Sequence, residues 1–506
     1  MNVKNIPQNG KFYFGIAILI LILIANAFFL NFNAFRTFNF LDMGGFLDAS
    51  WRVFCGQRPY RDFIYSSGPF HLYLNALFFK IFGFGKTAIL AHLITIHSLV
   101  IISVYLMLFP RLPLTLTLAG TLLTVPSFYW GVSHPWHDQT AHFLGILGLT
   151  LLVTHAPFTK KIFRYTLLSA FFAAIAIATK VNVGFAYWFV FLVISTISFQ
   201  RKRALQGFFL GSLLGSLFAG AIIRYPFEYW EQLSTFSRTT EAFSRLANFL
   251  FIKQWFVNYY WIAFVLMIIN KYFTTQKCRE LFALFCGITF IGIFTINTGG
   301  VIQEANNFLW GVQISLAYIL LYQYKDNYRR WGEIIFKSTM ALLLSLTLFL
   351  FVVSVRYGWQ LKVWTYSVDN PVGDYALTIK PLQGWLTHAP EGKPLEKLVD
   401  FVNSYVGKND RLLNLSNMYV IYALTGRESY PHIPFIFITD IFPAHGRQAK
   451  EVKKAILQNP PKWIILHRSS YLDEIPALGI KTFINDEYKI IARVGFYYVL
   501  KRKDSM

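Results

Sequence analysis

Few acidic residues in this chain stand where they could take a proton, and Asp42 is the first of them. It lies in NFLDMGGFLDAS (39–50), twelve residues past Leu30, with Gly44 and Gly45 beside it and no basic residue three or four positions away. A carboxylate without a local partner keeps its acceptor capacity, which suits a general base. A simply solvated aspartate fits the same residues. Farther along the same stretch, Asp48 and Arg52 are four apart and Asp62 adjoins Arg61, and both pairs read as surface ion pairs.

A second group occurs in SHPWHDQTAH (133–142), which gathers His134, His137, Asp138 and His142. Histidine and carboxylate are zinc ligands, although this spacing is not a known metal signature. An acidic group facing the same cleft as Asp42, with histidines donating hydrogen bonds, is a more economical reading. Capping of the following helix by Asp138 is compatible with either. In ATKVNVG (178–184), Lys180 stands alone between two apolar runs. A charge at membrane depth faces a cavity or a partner. Lys180 could hold an anionic headgroup, as could Arg58 or Arg61, and snorkelling to lipid phosphate is the alternative. Glu304, in QEANN (303–307), is an unaccompanied acid at the start of another apolar run.

The elements that must position these residues are mostly membrane spans. Of 506 residues, 55% are hydrophobic and only 14% are charged, against about a quarter charged in soluble domains. Windows of about 18 apolar residues recur, which marks a polytopic α-helical membrane protein. The net charge of +22 is distributed as short basic clusters between apolar runs. That is the pattern of cytoplasmic loops and not of a nucleic-acid-binding surface. Three cysteines, widely spaced, suggest neither a disulfide framework nor a metal knuckle. The segment Phe12–Leu30 is too long for a signal-peptide core and no small-residue cleavage site follows, so it reads as the first span.

Candidate spans are 12–30, 86–108, 112–130, 140–155, 165–179, 183–199, 205–223, 255–270, 280–296, 308–323 and 338–355, about 11 transmembrane helices. With the N-terminus in the cytoplasm, alternate loops hold Arg111, then Lys160, Lys161 and Arg164, then Arg201, Lys202 and Arg203. Lys271, Lys277 and Arg279 follow, and then Lys325, Arg329 and Arg330. Loops 131–139 and 297–307, on the other side, have no Lys or Arg. Gly207, Gly211 and Gly215, four apart, let one span approach another closely.

This topology divides the chain into a transmembrane domain, 1–355, with a first outer loop at 31–85, and a small α/β extracytoplasmic domain, 356–506. In the latter, PLEKLVDFVNSYV (394–406) has helical apolar spacing, and KWIILHR (462–468) and VGFYYVLKR (494–502) read as strands. No nucleotide loop, metal motif or nucleophile elbow occurs in it. Cytoplasmic loops are short and basic, so any chemistry belongs to the outer surface.

The stretch DMGGFLDASWRVFCGQRPYRDFIYSSGPFHLYLNALFFKIFG (42–83) combines D-x-G, G-x-x-P-Y-x-D-F and a G-P-initiated aromatic helix. It resembles the first outer loop of the C-type integral-membrane glycosyltransferases, which include protein O-mannosyltransferases and lipid A aminoarabinose transferases. ATKVNVG is similar to their threonine-lysine turn, and YALTGR (422–427) to a segment of bacterial members. The resemblance implies transfer of a sugar from a polyprenyl-phosphate donor to a lipid, glycan or protein acceptor at the outer face of the cytoplasmic membrane. It places the base at Asp42 and a second acid at Asp138. Many members carry an acidic pair where this chain has Asp42-Met43, which leaves the division of labour between Asp42 and Asp138 open.

A glycosyl phosphate already has a good leaving group, so the reaction needs a base for the acceptor hydroxyl and cations for the phosphate. Lys180 with Arg58 or Arg61 would supply the cations, with His134, His137 and Glu304 in support. A single displacement inverts the anomeric centre. Neither a metal nor another cofactor is required, and membrane lipids surround the spans. A polysaccharide polymerase or ligase, a transporter and a non-catalytic envelope-glycan assembly protein are the competing readings.

Overall fold

The structure is a computed structural model that describes residues 8–38, 40, 42–65, 67–129, 134–154, 161–236, 276–296, 309–323, 330–360, 372–416, 418–432, 447–468 and 478–505. The expected span 255–270, and the turn 297–307 with Glu304, lie outside the described residues.

In chain order the helices begin with α1 (Gln8–Ala34), α2 (Asp42–Phe54), α3 (Phe70–Phe82), α4 (Lys86–Leu108) and α5 (Leu114–Ser127). They continue with α6 (His137–Thr154), α7 (Ile162–Ile177), α8 (Val181–Ile197), α9 (Arg201–Ile223) and α10 (Pro226–Phe236). Next are α11 (Gln276–Ile296), α12 (Trp310–Gln323) and α13 (Arg330–Gln360). The remainder holds β1 (Tyr375–Ala376), β2 (Leu386–Thr387), α14 (Ala389–Tyr405), β3 (Leu412–Leu415), α15 (Ile421–Thr425) and α16 (Arg447–Gln458). It ends with β4 (Trp463–His467), α17 (Lys481–Glu487), β5 (Tyr488–Val494) and β6 (Tyr497–Arg502).

Two compact units result. The first comprises residues 1–33, 93–222 and 239–363, and the second residues 34–92, 223–238 and 364–506.

The first unit is a helical bundle. Among the described residues, Tyr13–Ala34, Lys86–Leu108, Arg201–Ile223 and Phe336–Arg356 are long and apolar enough to cross a membrane, and shorter apolar helices accompany them. Large apolar side chains point outward from these helices: Leu21 and Phe28 on α1, Leu213 and Leu217 on α9, Leu342 and Leu348 on α13. Such continuous apolar exposure suits lipid and not water. The glycine stripe of α9 packs on α7, because a Cβ at Gly207, Gly211 or Gly215 would run into the backbone at Phe163, Leu167 or Phe171. Small residues at this spacing therefore set the α7–α9 separation.

The second unit joins residues 34–92 and 223–238 to the C-terminal segment. Its four-stranded sheet has the order β3-β4-β6-β5, with β3 parallel to β4 and the other pairs antiparallel. Trp463, Ile464, Ile465 and Leu466 are all buried, so β4 is covered on both faces, as its uninterrupted apolar run dictates. Helix α14 buries Leu395, Leu398, Val399 and Val402, a spacing of three and four. The short β1–β2 pair is extended by the chain after α1, where Phe38 N donates to Leu386 O (2.8 Å) and Leu386 N to Phe35 O (2.9 Å). Trp385 is buried between the edges of Phe35 and Phe38.

Candidate functional site

Asp42 is the first residue of α2, and its side chain lies outside the described residues. The rest of α2 shows how that helix is held. Asp48 and Arg52 do pair, with Nε 2.7 Å from Oδ2, but they are fully buried, not at the surface as their spacing suggested. They are buried because residues 427–430 of the C-terminal segment cover them. Ser429 Oγ donates to Asp48 Oδ1 (2.7 Å), and Arg52 Nη1 donates to Tyr430 O (2.9 Å). Burial pushes the Asp48 carboxyl above its ordinary range, while Arg52 and Ser429 pull it down.

The YALTGR segment explains its own geometry. Gly426 follows α15 in the left-handed region, φ 63° and ψ 30°, where a side chain would be strained. The reversal sends Arg427 to the end of α14, where Nη1 donates to Gly407 O and Nη2 to Val406 O, each at 2.6 Å. A cation at a helix C-terminus is favoured by the exposed carbonyls.

The loop after α2 is wound tightly. Tyr60 has φ 70°, and Asp62 closes the turn by accepting from Arg58 N (2.8 Å). Asp62 Oδ1 is 3.8 Å from Arg61 Nε, so its expected pair with Arg61 is loose and turn closure is its shorter contact. Arg58 and Arg61 instead converge on one phenol: the Nη1 atoms of both donate to Tyr225 Oη at 3.0 Å. Hydrogen bonds from Arg61 and then Arg58 lower the Tyr225 pKa from its ordinary value. Gln232 of α10 locks the turn, donating to Tyr60 O (3.0 Å) and accepting from Tyr65 N (2.9 Å).

In the first unit, the 134–142 and 178–184 stretches come together. Lys180 Nζ lies 2.7 Å from His137 Nε2 and 3.7 Å from Asp138 Oδ2, and those two acceptors are 3.0 Å apart. An ammonium has protons only to give, so Lys180 donates and His137 accepts through Nε2 as a neutral imidazole. Burial, with the Lys180 charge second, holds the His137 pKa well below its ordinary value. Trp136 Nε1 donates to Asp138 (2.7 Å), and its indole stacks on His137 at 5.0 Å. Lys180 precedes α8 in extended conformation. Gly184, one turn on, meets the end of α7 so closely that a Cβ would overlap the backbone of Ala176 and Ile177. That contact gives the ATKVNVG turn its glycine.

His134 is buried, its Nε2 without a hydrogen-bond partner among the described residues, and burial pushes its imidazole down to about 3. Gln139, fully buried in the first turn of α6, has neither amide atom hydrogen-bonded among the described residues. His142 turns away from the cluster to Tyr187 Oη (3.3 Å). Among the described residues no three His, Cys, Asp or Glu side chains are grouped to hold a metal ion.

Sequence reasoning missed Ser429, Tyr225, Gln139 and Gln232. Arg224-Tyr225, a basic-aromatic pair at the end of an apolar run, was a usable signal. Nothing local marks Ser429.

No protein-family model and no curated protein sequence matches the chain. Solved structures do match by fold, among them two that cover nearly the whole chain. One is ArnT from Cupriavidus metallidurans bound to undecaprenyl phosphate, at 13% identity and a TM-score of 0.51, with 98% of each chain covered. The other is ArnT from the same organism in the apo state, at 12% identity and a TM-score of 0.57, covering 97% of this chain and 98% of that one. At such identity the likeness shows the fold alone: the chain shares the architecture of ArnT, and its apolar helices fit a polytopic membrane protein.

Proposed function

We propose that the chain is a membrane glycosyltransferase that moves a sugar from a polyprenyl-phosphate donor to a lipid, glycan or protein acceptor at the outer face of the cytoplasmic membrane. The observation that carries this reading is the end-to-end fold likeness to a transferase bound to undecaprenyl phosphate. Two cationic groupings support it, Arg58 with Arg61 around Tyr225, and Lys180 beside His137.

In this reading Asp42, at the start of α2, deprotonates the acceptor hydroxyl, and the new oxygen–carbon bond forms as the phosphate departs from the opposite face of the sugar. The departing phosphate gains negative charge, which Lys180, Arg58 and Arg61 offset. Asp138 and His137 hold Lys180 in place, which makes Asp138 a partner of the cation and not a second base. His134 and Gln139 have hydrogen-bonding capacity left to orient a polar ligand. In this reading residues 356–506 are extracytoplasmic, on the same side as the first outer loop.

The test is transfer from radiolabelled prenyl-phosphate sugars by the purified full chain, wild type against Asp42→Asn. General-base removal costs about 10²–10⁴-fold, and the expected result is such a loss with the fold retained. Undiminished transfer by Asp42→Asn would remove Asp42 from the reaction. A wild-type chain inert toward every such donor would overturn the transferase reading and favour a polymerase, ligase or non-catalytic assembly role.

A further inference from the structure

The helix that begins at Asp42 is held on two opposite sides by polar contacts that an apolar core would not need. On a helix turning about 100° per residue, Asp48 and Arg52 lie about 40° apart, and Ser50 lies about 200° from Asp48. On the first side, Ser429 Oγ donates to Asp48 (2.7 Å), Arg52 donates to Tyr430 O (2.9 Å) and Trp51 Nε1 donates to Arg427 O (2.7 Å). Just beyond the helix, Gln57 Nε2 donates to Ser429 O (2.6 Å). On the opposite side, Asn75 Nδ2 of α3 donates to Ser50 Oγ (3.2 Å), and Asn75 Oδ1 meets His92 Nδ1 of α4 (2.5 Å). Asp48, Arg52, Ser429, Asn75 and His92 are all buried.

A buried ion pair is seldom the most stable way to fill a core, since its desolvation offsets much of its attraction. What such a pair provides is direction. Each hydrogen bond here fixes the azimuth and height of α2 against a backbone that is itself anchored, by Gly426 and by Arg427 on the end of α14. Asp42 is six residues from Asp48, about 9 Å along the axis. A rotation of roughly 20° at a side-chain radius of roughly 6 Å would move a carboxylate by about 2 Å.

We propose that the C-terminal residues Arg427–Tyr430 set the catalytic helix, so that Ser429, Asp48 and Arg52 are positioning residues for the base Asp42. The proposal takes Asp42's role from the transferase reading, and gives the C-terminal segment a part in the reaction without any contact with substrate.

Two readouts test it in the full chain: hydrogen exchange of the α2 amides, and kcat and donor KM for sugar transfer. The variants are Ser429→Ala, Ser429→Thr and the apolar pair Asp48→Leu with Arg52→Met. A displacement of about 1 Å can cost about 10²-fold. Ser429→Ala and the apolar pair are therefore expected to lose about 30- to 100-fold in kcat at nearly unchanged KM, with faster exchange in α2. Ser429→Thr, which keeps the hydroxyl, restores both. Unchanged α2 exchange in Ser429→Ala overturns the proposal. So does a kcat loss that merely follows the folded fraction. If the wild type transfers no sugar, the transferase reading falls, whereas exchange in α2 still decides whether Arg427–Tyr430 set that helix.

Discussion

Ser429 Oγ and Asp48 Oδ1 are 2.7 Å apart although 381 positions separate them in the chain. The other oxygen of the same carboxylate accepts from Arg52 Nε at 2.7 Å. Asp48 is therefore satisfied once from its own helix and once from the far end of the chain, with no exposure to water. The i, i+4 pair ties α2 internally, and the serine ties α2 to the C-terminal segment.

Because the pair is buried, its halves cannot be removed singly at low cost. Arg52→Met leaves an uncompensated carboxylate and should destabilise the fold by about 3–5 kcal/mol. Burial raises the Asp48 pKa in the folded state, and loss of Arg52 removes the first of the influences that lower it. A folded-state pKa above the unfolded one makes the penalty grow as pH rises through that interval and vanish below the unfolded value. Thermal unfolding of Arg52→Met should thus show a larger deficit at pH 8 than at pH 5. An equal deficit at both would mean that Asp48 does not titrate with the fold.

His134 gives a pH dependence of the opposite kind. Its folded-state pKa, pushed down to about 3 by burial, lies below the ordinary 6.5. The unfolded chain takes up the proton first, so the contribution to stability is complete above pH 6.5 and is lost as pH falls toward 3. At pH 5 the loss is about 2 kcal/mol, from about 1.4 kcal/mol per unit over 1.5 units. Detergent-solubilised protein should unfold at a lower temperature at pH 5 than at pH 7.5, and His134→Phe should remove that share of the difference.

The sequence made some of this plain and hid the rest for physical reasons. Apolar runs and the α14 and β4 patterns depend on neighbours within a turn or a strand, so they were legible. The α9 glycine stripe is legible because small residues four apart let helices approach closely. The spacing of Asp48 and Arg52 shows the pair but not its environment, since burial comes from Ser429 and Tyr430, which no local spacing reveals. Lys180 looked solitary for the same reason: its partners His137 and Asp138 precede it by 43 and 42 positions. Tyr225 lay beside an arginine in plain view, yet its contact with Arg58 and Arg61 depends on the left-handed turn at Tyr60.

The α7–α9 contact can be tested by size alone. A Cβ at Gly211 would fall on the carbonyl of Leu167, and backbone cannot move aside as a side-chain tip can. Gly211→Val should cost about 1–3 kcal/mol through overpacking. Gly220, whose Cβ would meet nothing within 4 Å, is the control on the same helix. Thermal unfolding of Gly220→Ala should show no loss against the wild type, since an open helical position tolerates the added Cβ and alanine favours the helix. Equal midpoints for Gly211→Val and wild type would show that α9 does not pack through this stripe.

Lys180 separates the roles in the first unit. Its ammonium is held at 2.7 Å by His137 and sits 3.7 Å from Asp138, so it is placed before any ligand arrives. A hydrogen bond to a charged group contributes about 1.5–3 kcal/mol. If Lys180 meets the donor phosphate, Lys180→Met should raise the donor KM about 10- to 100-fold and lower kcat as charge develops on the leaving group. Asp138→Asn leaves the ammonium and weakens only its anchoring, so its effect should be smaller and in the same direction. Measuring both variants against one prenyl-phosphate sugar decides the matter. A larger kcat loss for Asp138→Asn than for Lys180→Met would move Asp138 from anchoring to proton transfer.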